Sequence, residues 1–110
     1  DMVKSMADRP IVFGLANPVP EIMPDAAKEA GAFVVATGRS DFPNQINNVL
    51  AFPGIFRGAF DNKVRHITDA MLVKAAIALA ALVPEPTREK ILPDPFDEAV
   101  VPAVAAAIRD

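Results

Sequence analysis

Asn17 in "LANPVPEI" and Gln45, Asn47 and Asn48 in "ATGRSDFPNQINNVLAFPG" are the side chains of this sequence best suited to hold a small polar ligand. An amide offers two donors and an acceptor without titrating, so it can orient a carboxylate, a hydroxyl or a carboxamide. Such groups position a reactant and rarely move its protons. Each also has a purely structural reading, because Asn-Pro starts turns and asparagine caps helices. That reading covers Asn17 well. It covers "NQINN" less well, since a helix start needs one capping side chain and the motif supplies several.

The other chemistry-bearing residues read more simply. His66 stands beside Arg65 with no Ser, Cys or Asp constellation in view, so it reads as a surface histidine rather than a catalytic base. Asp97-Glu98 is a carboxylate pair at the start of a helical segment, a structural place, and a metal site would need further ligands. Arg39-Ser40 has the chemistry to clasp an anion, but Asp41 is at hand to pair with Arg39. Neither GxGxxG nor GxxxxGK[ST] occurs, so the phosphate-cradling turn of a nucleotide fold is not in this chain.

The elements that must position the amides follow from hydrophobic pattern and punctuation. "PIVFGLA" (10–16) and "AFVVAT" (32–37) are short apolar runs that stop at Asn17-Pro18 and at Gly38, the look of buried parallel strands. Between them "PDAAKEAG" has Pro24 at a first helical position, Asp25 in the first turn and Gly31 as a stop. Strand, helix and strand make a βαβ unit, whose crossover is right-handed in ~98% of cases. In open parallel sheets the ligand crevice lies beyond the carboxyl ends of the strands, and both amide-bearing turns leave the sheet there.

From residue 49 onward the pattern is helical. "NNVLAFPGIFRGAFD" reads as a helix interrupted at Pro53-Gly54. Thr68 is placed to cap a helix over 69–83, whose apolar residues run almost all round and predict a buried helix. Asp97 is placed to cap a last helix from about Glu98 to the chain end. "PEPTREKILPDPFD", with four prolines, reads as a connector laid over the surface. The expected fold class is α/β: two strands followed by several helices, the C-terminal portion of a Rossmann-like doubly wound parallel sheet. The organisation expected is a βαβ unit with ligand-facing turns over 1–48 and a mostly helical closing segment over 49–110. The strands missing from such a sheet are expected from residues that precede this chain.

Composition narrows the function. A chain of 110 residues, 52% hydrophobic with net charge -3, fits at most one domain. Its Lys and Arg are scattered, so no basic stripe tracks a phosphate backbone, and nucleic acid is not an expected partner. The longest apolar stretch, "AMLVKAAIALAALV", is shorter than the roughly 20 residues of a membrane span and contains Lys74. With no cysteine there is no disulfide framework, which suits a reducing compartment, and a cytoplasmic location is expected. The opening "DMVKSMADRP" is helix-like and has no starting methionine, which reads as a piece cut from something longer.

"LANPVPEI" followed by "ATGRSDFPNQINNVLAFPGIFRGAFD" closely resembles the C-terminal part of the nicotinamide-binding domain of malic enzymes, in the shorter bacterial and archaeal form. "ILPDPFDEAVVPAVAAAI" resembles the closing helix of the same family. Two separate blocks in the right order and spacing are far more specific than one short motif. One departure is Gly14, which gives "GLANP" where relatives often read "ALANP"; a glycine in a strand either admits a close backbone or weakens the strand.

The resemblance implies metal-dependent oxidative decarboxylation of L-malate to pyruvate and carbon dioxide, with NAD or NADP accepting the hydride. It implies that Asn17 lies beside both nicotinamide and substrate, that Asn47 and Asn48 share that pocket with one of them holding malate, and that Asn48 also serves the cofactor side. The family's tyrosine acid, lysine base and the acidic ligands of Mg²⁺ or Mn²⁺ all precede the matched region, and this chain contains no tyrosine. No catalytic base, acid or metal ligand is therefore expected within residues 1–110, and the isolated chain is expected to show no turnover. The implied partners are L-malate, the rest of the polypeptide and a second subunit, since the family is usually dimeric or larger. Malolactic enzymes, near relatives that release lactate, share these motifs, and a packing or interaction module is the non-catalytic alternative.

Overall fold

Proline and glycine punctuate the first part of the chain into four-residue strands. In the computed structural model, which describes residues 1–110, β1 (Ile11–Gly14) pairs in parallel with β2 (Val34–Thr37), Ile11 opposite Val34 and Gly14 opposite Thr37. The helix α1 (Pro24–Glu29) forms the crossover, with Pro24 in its first turn and Asp25 beside the positive end of its dipole. It stops at Gly31, whose φ of +107° only glycine adopts without strain. This is the expected βαβ order with shorter strands. β1 ends early because a loop folds back over it: a Cβ on Gly14 would lie 3.2 Å from Pro20 Cβ and 3.3 Å from the carbonyl of Ile22. Close backbone approach is thus the reason for glycine there.

Two compact units divide the chain. The first comprises Asp1–Ile46 and Pro86–Ile91. Every residue of β2 is buried, whereas β1 turns Ile11 and Phe13 outward. Ala27, Ala32 and Val35 form the core, with Val3, Val12 and Ile22 packed on it. The proline-rich connector lies on the surface, as its composition predicts, but Pro86–Ile91 is docked and not merely laid there. Arg88 donates from Nε to the Phe33 carbonyl (2.6 Å) and stacks its guanidinium 4.8 Å over the Phe33 ring.

The second unit comprises Asn47–Glu85 and Leu92–Asp110, and holds α2 (Phe52–Asp61), α3 (Asp69–Ala81) and α4 (Val100–Ala107). Ile55, Met71, Ala75, Val104 and Ile108 are its core. Sequence reading breaks the second helix at Pro53-Gly54, and the structure corrects this. α2 runs through both residues, because Pro53 falls in the first turn, where a missing N–H costs nothing. Only a single 3₁₀ turn, Asn48–Leu50, precedes it.

α3 is capped as expected, Thr68 Oγ1 accepting from the Met71 N–H (3.3 Å). It is not the fully buried helix its composition predicts: Met71 and Ala75 are buried, while Val73 and Ile77 are 59% and 65% exposed. It packs chiefly along α4 and shares its core with Ile55 of α2, so one face finds partners within this chain and the other does not. Asp97 does not cap α4 as expected: its Oδ1 accepts from the Ala99 N–H (2.9 Å) in the turn ahead, and α4 begins at Val100, behind Ala99 and without a side-chain cap, and stops short of the chain end. No helix is long and apolar enough to cross a membrane.

Candidate functional site

The candidate site lies at the carboxyl ends of β1 and β2, where two turns leave neighbouring strands side by side. The turn after β1 is Ala16-Asn17-Pro18, with a cis peptide before Pro18. The Glu21 carboxylate accepts the Ala16 N–H at 2.7 Å and ties the far side of this turn to its start. Asn17 itself is exposed, and its amide makes no hydrogen bond to the chain.

Glu21 titrates below the usual glutamate range, first because of the hydrogen bond from Ala16 N–H and then that from its own backbone N–H. A carboxyl whose folded pKa is lowered contributes stability above its unfolded pKa and loses it as pH falls through the folded value. The Ala16–Glu21 tie is thus expected to be complete at neutral pH and to open only on acidification below the ordinary glutamate range. An NMR titration of the Ala16 amide checks this. An Ala16 shift that moves at the ordinary glutamate midpoint would show that Glu21 does not hold the turn.

After β2 the chain turns at Gly38. A Cβ there would lie 3.1 Å from Asn17 Oδ1 and 3.7 Å from the Ile46 carbonyl, so glycine leaves the space in which the Asn17 amide rests against the end of β2. Gln45 forms an isolated parallel bridge with Thr37, and the Ile46 N–H donates to the Thr37 carbonyl (2.8 Å). The chain thus returns alongside the strand it has just left. Gln45 Nε2 donates to the Gly38 carbonyl (3.3 Å), which spends part of that amide on the loop.

The structure therefore brings Asn17, Gly38, Gln45 and the Ile46 carbonyl together in the first unit. Asn47 and Asn48 open the second unit and are exposed. Asn47 caps the 3₁₀ turn, its Oδ1 accepting from the Val49 N–H at 3.0 Å, so its oxygen is spent on the chain. The Asn48 amide makes no hydrogen bond within the chain, and neither does the Nδ2 of Asn47. Arg39 is closed off by a two-point pair with Asp41, at 2.9 and 2.8 Å, and its guanidinium lies 5.5 Å over the Phe42 ring. That hydrogen bond lowers the Asp41 carboxyl below its usual range. His66 is exposed.

Sequence reasoning passed over Asn44, which proves to be the most buried amide of the loop. Its position after Pro43 was the available signal, since asparagine accepts the left-handed backbone that such turns require. Nothing local announced Glu21, whose partner is found only once the loop folds back. No three His, Asp or Glu side chains are grouped so as to hold a metal ion, so this chain's residues do not fit the Mg²⁺ or Mn²⁺ site of the resemblance. The uncommitted amides of Asn17 and Asn48 each suit a carboxamide, to which they can donate and from which they can accept, or a carboxylate, to which they can donate.

Two parallel strands joined by a helix, with uncharged amides at their carboxyl ends, define part of a Rossmann-like α/β domain. Residues 1–109 match the family described as "Malic enzyme, NAD binding domain". The chain belongs to this family. It is 59% identical to the bifunctional malic/malolactic enzyme of Bacillus subtilis (strain 168), over 98% of this chain and 27% of that protein. It is 53% identical to the NAD-dependent malic enzyme of Geobacillus stearothermophilus, over 96% of this chain and 22% of that one. The crystal structure of malic enzyme from Pyrococcus horikoshii Ot3 superposes with a TM-score of 0.94 at 57% identity, covering 96% of this chain and 24% of that one. The chain thus spans about a quarter of the length of the relatives it matches.

Proposed function

We propose that the polypeptide carrying this chain oxidises and decarboxylates L-malate to pyruvate and carbon dioxide with reduction of NAD or NADP, and that Asn17, Asn47 and Asn48 position the reactants. The observation that supports it most is the Asn17 amide, free of partners within the chain and seated against Gly38 at the carboxyl end of β2. A bound nicotinamide would supply the acceptor for the hydride of malate C2. The amides of this chain hold the carboxamide, carboxylate or hydroxyl so that donor and acceptor carbons meet, a task in which small misplacements are expensive. Proton transfer and metal binding fall to residues outside 1–110.

The test supplies the full polypeptide with L-malate, Mn²⁺ and NAD or NADP, and follows reduced cofactor together with the organic product. Pyruvate with stoichiometric NAD(P)H is the expected result and identifies the preferred cofactor. A second reading is favoured by the bifunctional malic/malolactic name of the Bacillus subtilis relative. On that reading lactate accumulates without net reduction. Absence of both products from folded protein overturns the proposal and leaves the exposed apolar face of α3 as the better guide, pointing to a packing or interaction module.

A further inference from the structure

Asn44 is 8% exposed and has a left-handed backbone, with φ of +60°. Its Nδ2 donates to the carbonyl of Val35 (3.0 Å) and to that of Arg88 (2.8 Å), while its Oδ1 accepts from the N–H of Ile91 (2.9 Å). Both amide hydrogens and an oxygen lone pair are therefore spent on backbone, in β2 on one side and in the docked Pro86–Ile91 segment on the other. Asparagine suits the place twice. It is one of the few residues other than glycine that adopts this backbone readily, and only a carboxamide presents two donors and an acceptor from so short a stem.

The consequence lies one and two residues further on. Gln45 and Ile46 are the residues that run beside Thr37, and the Ile46 carbonyl and Gly38 border the space occupied by the Asn17 amide. We propose that Asn44 is a positioning residue: by clamping the Gly38–Ile46 loop to β2 and to Pro86–Ile91, it sets the place of Gly38 and Ile46 and thereby the orientation of the Asn17 amide. The inference rests on the reading that Asn17 orients the reactants. Asn44 touches neither substrate nor cofactor.

The test is made in the full polypeptide with Asn44→Gly, which keeps the left-handed backbone and removes all three hydrogen bonds. Asn62→Ala is the control, because Asn62 also spends its Nδ2 on a backbone carbonyl, that of Ile108 (2.8 Å), but lies in the second unit. Asn44→Gly is expected to speed amide exchange at Ile46 by roughly tenfold or more, with α4 unaffected. It is expected to lower kcat roughly tenfold while the KM for cofactor stays within about threefold. Asn62→Ala is expected to leave kcat unchanged.

Unaltered exchange at Ile46, or a kcat loss no greater than that of Asn62→Ala at equal loss of Tm, overturns the inference. Should Asn44→Gly fail to fold, the wild-type side chain decides. Its Nδ2 protons are expected to exchange as slowly as the Ile46 amide, and freely exchanging protons overturn the clamp. A wild-type protein without malate turnover would remove the proposed function, while the exchange data would still judge whether Asn44 holds the loop.

Discussion

Asn17→Ala in the full polypeptide is expected to lower kcat/KM for L-malate by about 1–3 kcal/mol, roughly 5- to 150-fold, the loss that follows when a buried polar or charged group of a bound ligand is left without its partner. The fold should not notice. The amide is exposed and makes no hydrogen bond to the chain, and surface substitutions of that kind stay within about 0.5 kcal/mol. Unaltered thermal unfolding with a collapsed kcat/KM is the combination to look for. How the loss divides is informative, since a rise in KM alone means uniform binding and a fall in kcat means the amide acts in the transition state. Asn48→Ala should behave similarly, because its amide is equally uncommitted, whereas Asn47→Ala should also loosen the 3₁₀ turn that Asn47 caps. Steady-state kinetics beside calorimetry decides, and an unchanged kcat/KM in Asn17→Ala would remove the positioning role.

The second large effect belongs to the helical unit and concerns stability. A Cβ on Gly58 would run into the Ala105 carbonyl oxygen and lie 2.8 Å from Ile108 Cβ and 2.9 Å from Ala105 Cα. Two of these three atoms are backbone of or beside α4, so no rotamer change relieves them. Gly58→Ala therefore sets two effects against each other. Alanine gains roughly 0.5–1 kcal/mol over glycine inside a helix, and overpacking costs about 1–3 kcal/mol or more. The blocked backbone favours the cost, and a net destabilisation is expected, with faster amide exchange in α2 and α4 than in β2. Gly54 faces the same helix, with Val104 Cβ at 2.5 Å from its missing Cβ, and Gly54→Ala should add to the loss. A stabilised Gly58→Ala would mean that α2 and α4 can separate without penalty.

Glycine at these two positions also explains why α2 could be misread. Pro53-Gly54 has the composition of a helix break, yet proline sits in the first turn and Gly54 is required by the approach of α4. A local rule about proline met a tertiary reason for glycine. α3 shows the converse. Its all-round apolar character predicts burial, but the helix buries only one face, chiefly against α4, and leaves Val73 and Ile77 exposed. Composition records how much apolar surface a helix has and not which neighbours are available to cover it.

What the sequence by itself determined is local in origin: the order β1, α1, β2, the Thr68 cap, the amide-bearing turns after each strand, and membership of the malic enzyme family. Strand period, proline and glycine punctuation and capping act over a few residues, so they can be read from neighbours in the chain. Only the tertiary structure decided that Gly38 makes room for Asn17 and that Pro86–Ile91 docks beside β2. The same holds for Asn44, whose buried amide joins backbone groups 9, 44 and 47 residues away. No short-range signal specifies those partners. Once the loop is buried, however, every unsatisfied backbone group in it carries a cost, and a single asparagine in a left-handed turn meets three of them at once.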